Sequence, residues 1–400
     1  MPFMFNYYEN PPTAGLPLQW RDWLPVKSSL ADKVSARFNL PPLQLTCSGT
    51  AALVIALTTL VQQQPERKTV IVPAYTCPLV ALAIHHCGLQ IQLCDLKPNS
   101  IDLETAHLTN LLNEKVLAVI PTHLGGRVSD VASVKKLAQF QQIAVIEDAA
   151  QALGAEVGQY CDVVLFSLAA GKGLTMYEGG LVTAPETQLR RSLQKTANKL
   201  LPHRFKWEFL RTLQLFGYTA LYHPAGLHFV YGRGRRKALR QQQWIAAVGD
   251  DFDFDIPMHR VGHIRQHVAT NAFQRLPAFL QTLHLQAQQR IQQLQKISAI
   301  QVIVDQYGQG VWPFLMVLVP TNQQRDAILK ELWTSPLGVT RLFIHTLAQY
   351  DYLKPIVPKE STPNAEDFAA RMLTITNSPW LTDAQFEQIC AVIQRVVCGC

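Results

Sequence analysis

The stretch AVIEDAAQALGAEVGQYCDVVLFSLAAGKG, residues 144–173, contains two short apolar segments that each end in a polar residue. Asp148 closes the first segment and Ser167 closes the second. Segments that are apolar at nearly every position, rather than at every second one, are typical of strands covered by helices on both faces of a parallel sheet. Since ligands bind beyond the carboxyl ends of such strands, the stretch predicts an α/β fold with a site near Asp148 and Ser167.

The same alternation of apolar helical stretches and short β-rich segments continues on both sides of this stretch, as in successive βαβ units. After Arg260 the pattern changes to a long glutamine-rich helical stretch, about 271–297, followed by further strands and helices. We therefore expect a large domain at residues 1–260, with an insertion at about 201–240, and a smaller α+β domain at residues 261–400. The strands expected in the large domain are residues 69–72, 91–94, 117–120, 143–146, 163–167 and 181–183.

The composition is that of a globular protein, since 48% of the 400 residues are hydrophobic. The net charge of +7 lies entirely in the insertion, which has eight basic residues and one acidic residue. Because the rest of the chain is neutral, nucleic-acid binding by the fold is not expected. The eight cysteines are scattered, so we expect reduced thiols and no metal site. No apolar run is long enough to span a membrane and the first residues do not resemble a signal peptide, which predicts a cytoplasmic protein.

A single lysine, Lys172, follows Ser167 by five residues and lies among small apolar residues and glycines. The ordinary interpretation is a solvent-exposed lysine. At the edge of a buried sheet, however, a lysine without a neighbouring carboxylate loses solvation, and its pKa falls toward the range in which the free amine is a nucleophile that forms Schiff bases. The pair Gly171 and Lys172 does not complete a phosphate-binding loop, which requires glycine in place of Phe166 and serine or threonine in place of Gly173.

Two further features fit a Schiff-base cofactor such as pyridoxal phosphate, which needs an acid at its ring nitrogen and a cradle for its phosphate. Asp148 is the candidate acid, and a cap for the turn that follows it is an equally good interpretation. Ser48, Gly49 and Thr50 precede the apolar helix AALVIALTTLV, so the amides at its N-terminus are candidates for the cradle. Taken alone, a Ser-Gly-Thr sequence is usually only a helix N-cap.

Five short motifs occur in a fixed order over residues 48–180: SGTAAL, PAYT, EDAAQALGA, FS followed by Lys172, and EGG. In this combination the chain resembles the DegT/StrS family of pyridoxal-phosphate-dependent nucleotide-sugar aminotransferases. HLGGRVSDV, GVTRLFIHTL and AEDFAARMLTI extend the similarity over most of the chain. The resemblance implies a fold type I transferase, whose large domain has a mostly parallel seven-stranded sheet covered by helices.

The resemblance also implies roles for individual residues. Lys172 would hold pyridoxal phosphate as a Schiff base and then transfer the proton between the cofactor carbon and the substrate carbon. Asp148 would pair with the ring nitrogen, and Gln151 would face the ring oxygen. The residues that hold the phosphate would be Ser48, Gly49, Thr50, Ala51 and Ser167.

By the same resemblance, L-glutamate would donate the amino group to a keto group on a nucleotide-linked sugar, and the enzyme would act as a homodimer in amino-sugar or cell-surface polysaccharide biosynthesis. Two departures from the family pattern stand out. Cys77 occupies the position where an aromatic residue commonly stacks on the cofactor ring. The segment that sends an asparagine to the partner subunit's phosphate has no clear match, residues 258–260 being the nearest. These departures support an alternative, a catalytically inactive pyridoxal-phosphate-binding protein with a regulatory or assembly role.

Four further residues are candidates for the substrate pocket. His123 follows a strand of the sheet, and Glu178 lies in the EGG motif, where it would support Lys172 or cap the turn. Arg341 and His345 lie where the family reaches toward its substrate. For His123 the ordinary alternative is a histidine whose hydrogen bonds are satisfied within the protein, and for Arg341 and His345 it is a place on the surface.

The insertion combines its basic residues with eight aromatic ones, which favours contact with an anionic surface. One hypothesis is a helix lying on acidic lipids, which would place the protein peripherally at the inner face of the membrane. The other, which we favour, is a subunit interface, because Gly217, Pro224 and Gly226 are expected to interrupt any long helix.

Overall fold

The computed structural model describes residues 7–399 of the chain. Seven strands in this part form the larger sheet: β1 (Gln44–Thr46), β2 (Thr69–Pro73), β3 (Gln90–Cys94), β4 (Val116–Val119), β5 (Ala144–Asp148), β6 (Val163–Ser167) and β7 (Gly180–Thr183). They lie in the order β1-β7-β6-β5-β4-β2-β3, and β6, β5, β4, β2 and β3 are parallel. Strand β7 runs antiparallel to both of its neighbours. The prediction of a mostly parallel sheet is therefore confirmed.

Both faces of this sheet are covered, which explains why its strands are apolar at nearly every position. In β5, Ile146 packs into one apolar cluster and Val145 packs into another. In β6, Leu165 packs into the same cluster as Ile146, and Val164 packs into the same cluster as Val145. Successive side chains of a strand point to opposite faces of its sheet, so a strand between two layers of helices buries both sets.

The helices pack on these faces and connect the strands. The helical stretch expected at about 271–297 is divided between two helices. The first ends at Phe273, the chain turns at Gln274 and Arg275, and the second begins at Leu276 with a proline in its first turn. The helices of the described residues are α1 (Leu30–Phe38), α2 (Gly49–Gln63), α3 (Pro78–His86), α4 (Thr105–Leu111), α5 (Val131–Ala138), α6 (Thr187–Leu200), α7 (Phe205–Leu221), α8 (Pro224–Leu227), α9 (Arg233–Arg240), α10 (Trp244–Val248), α11 (His263–Phe273), α12 (Leu276–Leu294), α13 (Asn322–Leu332), α14 (Pro363–Arg371) and α15 (Asp383–Cys398).

A second sheet lies in the C-terminal part of the chain and is antiparallel. Its strands, in the order β10-β11-β9-β8, confirm the smaller α+β part of the predicted fold. Helix α12 joins the two parts, because Leu276 packs into a core of the larger sheet whereas Leu283 and Leu294 pack into the core of the smaller one. The division at residue 260 remains a prediction. The strands are β8 (Gln301–Val302), β9 (Phe314–Leu318), β10 (Val339–Thr340) and β11 (Met372–Thr376).

The insertion is helical from α7 to α9. Helix α7 runs without a break across Gly217, so the prediction that this glycine interrupts a long helix is wrong. A glycine inside a helix costs only about 1 kcal/mol, which a helix of several turns tolerates. Pro224 does begin a new helix, α8, at a position where its missing N–H is not needed. The prediction for Gly226 is also wrong, because the chain stays helical from Pro224 through Gly226 to Arg240. None of the helices within residues 7–399 combines the length and the apolar character that crossing a membrane requires.

Candidate active site

A cavity of about 520 Å³ lies at the carboxyl ends of β4, β5 and β6, and we call it the lysine cavity. Neighbouring parallel strands end at the same edge of a sheet, so the polar residues that follow them meet there. The backbone of Thr122 forms a parallel β-bridge with that of Asp148, and Ser167 of β6 is opposite Gly180 of β7 in the sheet. The sequence-predicted residues that line the cavity are Ser48, Gly49, Thr50, His123, Asp148, Gln151, Ser167, Lys172 and Glu178.

Lys172 lies in the turn between β6 and β7. The residue before it, Gly171, has a φ of +81°, which favours glycine. Within residues 7–399, Lys172 Nζ makes no hydrogen bond or ion pair, and burial lowers the pKa of Lys172, an effect that Cys77 and Asp148 offset only in part. More of the amine is therefore unprotonated near neutral pH than for an exposed lysine, as a nucleophile requires.

Asp148 ends β5 and is almost fully buried. Its Oδ1 accepts a hydrogen bond from the Ala150 N–H at 3.0 Å, so one oxygen has the capping role that the sequence allowed. Within the described part of the chain, no hydrogen bond engages Oδ2, and the residue lines the lysine cavity. Burial raises the pKa of Asp148, which means that the carboxylate gains from a cationic donor at its free oxygen. A protonated ring nitrogen is such a donor.

The N-terminus of α2 and the end of β6 form the anion-binding part of the cavity. Ser48 is the N-cap of α2, and its hydroxyl accepts a hydrogen bond from the Ala51 N–H at 2.9 Å. The amide of Ala51 is therefore engaged, and Ala51 does not line the cavity as the sequence suggested. Within residues 7–399 the amides of Gly49 and Thr50 have no acceptor. Together with the Ser167 hydroxyl, they can bind a phosphate at the positive end of the helix.

Two glycines allow the backbone to close around this anion-binding part. A Cβ at Gly49 would lie 2.9 Å from the Ser167 Cβ, and a Cβ at Gly180 would lie 2.4 Å from the Ser48 carbonyl oxygen. The second contact is with backbone atoms, which cannot move aside by changing a side-chain rotamer. Only glycine at these two positions lets α2 approach β6 and β7 this closely.

We expect Gly180→Ala to weaken the binding of pyridoxal phosphate by at least about tenfold, because relieving the clash displaces the start of α2 from Ser167. An absorbance titration of the purified protein with pyridoxal phosphate measures this affinity. The matched control is Gly217→Ala, since nothing lies within 4 Å of the added methyl group. Unchanged affinity in Gly180→Ala would contradict the position assigned to the phosphate.

Gln151, Cys77 and two phenylalanines also line the lysine cavity. The Gly125 N–H donates to the side-chain oxygen of Gln151 at 2.7 Å, which leaves the amide NH₂ of Gln151 free to donate to a ring oxygen. Cys77 lines the cavity at the start of α3, where burial raises its pKa to about 12 and keeps the thiol neutral. The aromatic rings of the wall are instead those of Phe252 and Phe343.

Two of the weaker candidates line the cavity but are held by other protein groups. The His123 Nε2 lies 3.2 Å from a Glu147 carboxylate oxygen, and its Nδ1 accepts a hydrogen bond from the Ser129 N–H at 3.1 Å. His123 is thus the satisfied histidine that the sequence allowed. Glu178 accepts hydrogen bonds from Trp207 and Arg211 on α7, so it fixes the insertion to this edge of the cavity rather than supporting Lys172.

The structure does not bring Arg341 and His345 to the lysine cavity. The Arg341 Nη2 donates to the carbonyl oxygens of Ile344 and Ala369 at 2.6 and 2.9 Å, which fixes a turn after β10. The His345 ring packs edge-on against Tyr350, with 5.3 Å between the ring centroids. Both side chains are therefore engaged by other groups of the protein. The residues of this segment that reach the cavity are Leu342 and Phe343.

One buried carboxylate of the cavity wall, Asp250, was not found from the sequence. It accepts hydrogen bonds from the Tyr350 hydroxyl at 2.6 Å and from the Ile344 N–H at 2.9 Å. Burial raises its pKa to about 6, more than these hydrogen bonds lower it. Asp250 thereby ties the insertion side of the cavity to the turn that carries Phe343. Its partners lie about a hundred residues away, a separation that no local pattern encodes.

A raised pKa in the folded state means that the folded protein holds this proton more tightly than the unfolded chain does. The stability that Asp250 contributes is therefore present below about pH 4 and lost as the pH rises through about 6. We expect the Tm of Asp250→Asn, relative to the unchanged protein, to rise by about 2–5 °C between these limits. Asp253→Asn, at an exposed position, is the control. Parallel Tm curves for Asp250→Asn and the unchanged protein would contradict this assignment.

The sequence profile of the DegT/DnrJ/EryC1/StrS aminotransferase family matches residues 43–218 and 258–394. The matched stretches include the lysine, the candidate acid and the N-terminus of α2. Residues 219–257, which contain Asp250 and Phe252, lie between the two stretches and outside the match. Part of the cavity wall therefore lies outside the matched stretches.

Curated relatives resemble the chain over different lengths. GDP-perosamine synthase of Caulobacter vibrioides is 31% identical over 166 residues, which are 40% of this chain and 44% of that protein. Protein MosB of Rhizobium meliloti is 34% identical over 160 residues, 39% of this chain and 31% of that protein. The UDP-N-acetyl-3-dehydro-alpha-D-glucosamine 3-aminotransferase of Acidithiobacillus ferrooxidans is 25% identical over 370 residues, 88% of this chain and 83% of that protein. The match thus spans less than half of the first two relatives and most of the third.

Solved structures with the same fold cover nearly the whole chain. The putative sugar aminotransferase Spr1654 of Streptococcus pneumoniae, in its apo form, superposes with a TM-score of 0.74 at 17% identity and covers 98% of both chains. Helicobacter pylori PseC superposes with a TM-score of 0.72 at 15% identity and covers 99% of this chain and 100% of its own. These similarities confirm the predicted fold type I architecture.

Proposed function

The chain belongs to the DegT/DnrJ/EryC1/StrS aminotransferase family, and from this membership we propose that it is a pyridoxal-phosphate-dependent aminotransferase. It would move an amino group from L-glutamate to the keto group of a nucleotide-linked sugar. One observation carries the proposal above all others: Lys172, Asp148 and the free amides at the start of α2 line a single cavity. The long alignment with a named UDP-sugar 3-aminotransferase supports the acceptor class.

The residues of the lysine cavity fit the cofactor at two places, its ring nitrogen and its phosphate. Bound pyridoxal phosphate supplies a ring that withdraws electrons and stabilises negative charge on an adjacent carbon during proton transfer. Asp148 Oδ2 would hold the proton on the ring nitrogen, which keeps the ring electron-withdrawing. The amides of Gly49 and Thr50 and the Ser167 hydroxyl would bind the phosphate.

Lys172 has two tasks in this arrangement. Its unprotonated Nζ is the group that would bind the cofactor covalently, and after the amino donor displaces it, the same amine would carry a proton between two carbon atoms. Both tasks need a lysine whose pKa is below the ordinary value, and burial provides this shift. The rings of Phe252 and Phe343 would exclude water from the reacting atoms.

The outward face of α7 supports the homodimer that we propose. Phe205, Phe209 and Leu213 repeat every four residues on this helix, and 91%, 68% and 57% of their surfaces are exposed. Residues four apart lie on one side of a helix, so they form a continuous apolar stripe. An exposed stripe of large apolar residues marks an interaction surface.

Three of the eight basic residues of the insertion pair with carboxylates of the chain, whereas the other five are exposed. Arg211 pairs with Glu178, and both Arg235 and Arg236 pair with the buried Glu9. Glu9 can neutralise only one of the two guanidinium groups that it binds, so the preference for a subunit interface rests on the apolar stripe of α7 rather than on these ion pairs. Residence in the cytoplasm and peripheral contact with the membrane stay predictions.

The alternative, a protein that binds pyridoxal phosphate without catalysis, rests on two departures from the family pattern. Cys77 replaces a ring-stacking aromatic residue, and the segment that carries the cross-subunit asparagine has no clear match. We do not favour it, because Lys172 and Asp148, which catalysis requires, both reach the cavity. The phenylalanines of the wall offer other surfaces against which the ring can pack.

The glutamate half-reaction tests the proposal. We expect protein loaded with pyridoxal phosphate to lose its visible absorbance band when L-glutamate is added, with formation of one equivalent of 2-oxoglutarate. D-glutamate is the matched control and should leave the band unchanged. A response only to another amino acid, such as L-glutamine, would contradict the donor. A band that no amino donor changes would contradict aminotransferase activity itself.

A further inference from the structure

A second cavity, of about 450 Å³, lies between α9, α10 and α13 and shares no lining residue with the lysine cavity. Its volume is in the range of sites for small molecules. Leu239 and Trp244 of its wall belong to residues 219–257, outside the family profile. The charged and aromatic residues of the opposite wall are Arg325, Asp326, Lys330, Trp333 and Arg341.

The cavity has more positive charge than the chain neutralises. Asp326 is its one carboxylate within the described residues; it pairs with the Arg325 Nε at 2.7 Å, and 66% of its side chain is exposed. Among residues 7–399, no group accepts a hydrogen bond from the buried Nε of Arg341. Burial and then the nearby Arg325 lower the pKa of Arg341 to about 10. The two guanidinium groups share the Ala369 carbonyl oxygen as an acceptor, which carries no full charge, so together with the exposed Lys330 they leave positive charge that favours an anion in the cavity.

A flat aromatic surface lies beside these cations. Trp244 and Trp333 stack with 5.4 Å between their ring centroids and an angle of 17° between their planes. The Trp333 Nε1 donates to the Thr340 hydroxyl at 3.0 Å, which fixes the inner ring. Trp244 remains 43% exposed and borders the cavity. An indole held in one orientation and open to solvent is a surface on which a planar heterocycle stacks.

We propose that this second cavity binds a free nucleoside phosphate, with the phosphate at Arg325, Lys330 and Arg341 and the base on Trp244. A guanidinium fork matches the oxygens of a phosphate, and an indole matches the face of a base. The site is separate from the lysine cavity, so its occupation requires neither pyridoxal phosphate nor amino transfer. The proposal therefore stands or falls apart from the proposed function.

Calorimetric titration of the full-length protein with UDP, GDP and ADP tests this site. We expect at least one of them to bind at one site per chain, and inorganic phosphate to compete with it. Trp244→Ala should weaken that binding by at least about tenfold, the effect of losing one base-stacking contact. Lys330→Gln, at an exposed position where folding is not at risk, should weaken it by about threefold. Lys359→Gln, exposed and outside the cavity, is the matched control and should bind as the unchanged protein does.

A second measurement places the ligand. Titration of protein loaded with pyridoxal phosphate should leave the visible absorbance band of the cofactor unchanged, because the two cavities have no residue in common. Three results would overturn the proposal: no binding of any of the three nucleotides, affinities unaffected by both substitutions, or a nucleotide that perturbs the cofactor band and binds equally well to Trp244→Ala. The last result would place the nucleotide in the lysine cavity.

Discussion

Lys172→Ala is expected to lower the rate of the glutamate half-reaction by at least about 1,000-fold, because in the proposed function it removes both the amine that would bind the cofactor and the base that would move the proton. The rate is followed through the visible absorbance of protein loaded with pyridoxal phosphate. The change is a truncation at a partly buried position with no side-chain hydrogen bond or ion pair among residues 7–399, so the fold should persist.

Two controls separate this role from a structural one. Lys195→Ala, on the exposed side of α6, should keep the rate of the unchanged protein. A small primary amine added at high concentration should restore part of the proton transfer in Lys172→Ala, since it supplies the missing base in solution. Activity of Lys172→Ala within tenfold of the unchanged protein would exclude Lys172 as the catalytic amine.

Asp148→Asn is expected to lower the same rate by about 100-fold or more while leaving the cofactor bound. The amide keeps the bond from the Ala150 N–H, because its oxygen replaces Oδ1. It carries no negative charge, however, and cannot hold a proton on the ring nitrogen, so the ring withdraws electrons less strongly. Covalent attachment at Lys172 does not need this charge.

The measurement therefore compares two quantities in Asp148→Asn: the cofactor content of the purified protein and the rate of the half-reaction. We expect the first to stay close to one equivalent per chain and the second to fall. Asp253→Asn, exposed on the insertion side, should change neither. A proportional loss of cofactor and rate would show that Asp148 acts in binding or folding rather than in tuning the ring.

The sequence predicted the sheet because its strands are continuous apolar segments. It predicted Asp148 and Ser167 as candidate site residues because each is the polar residue that ends such a segment. A strand covered on two faces is apolar throughout, and the polar residue that ends it stands out, as Asp148 and Ser167 do. Strand β1 was missed because its three residues, Gln44–Thr46, are mostly half-buried at the edge of the sheet and show no such run. The motif order then placed Lys172 and the start of α2 at the same edge.

The parts of the site that escaped prediction depend on contacts between distant segments. Asp250 reaches the wall through Tyr350 and Ile344, and no periodicity connects these positions. Arg341 was expected at the substrate because of its place in a motif, yet its guanidinium group donates to the carbonyl oxygens of Ile344 and Ala369. Its neighbours Leu342 and Phe343 are the ones that reach the cavity. Glu178 likewise binds the insertion, whose docking the sequence did not reveal.

The covalent attachment of the cofactor to Lys172 is tested most directly by borohydride reduction of protein loaded with pyridoxal phosphate, followed by peptide mapping. We expect the pyridoxyl mass increase on one peptide, with the modified side chain at Lys172, and no increase in Lys172→Ala treated in the same way. An unmodified Lys172 in the reduced protein, or the same increase on a different lysine, would contradict the assignment of the active site.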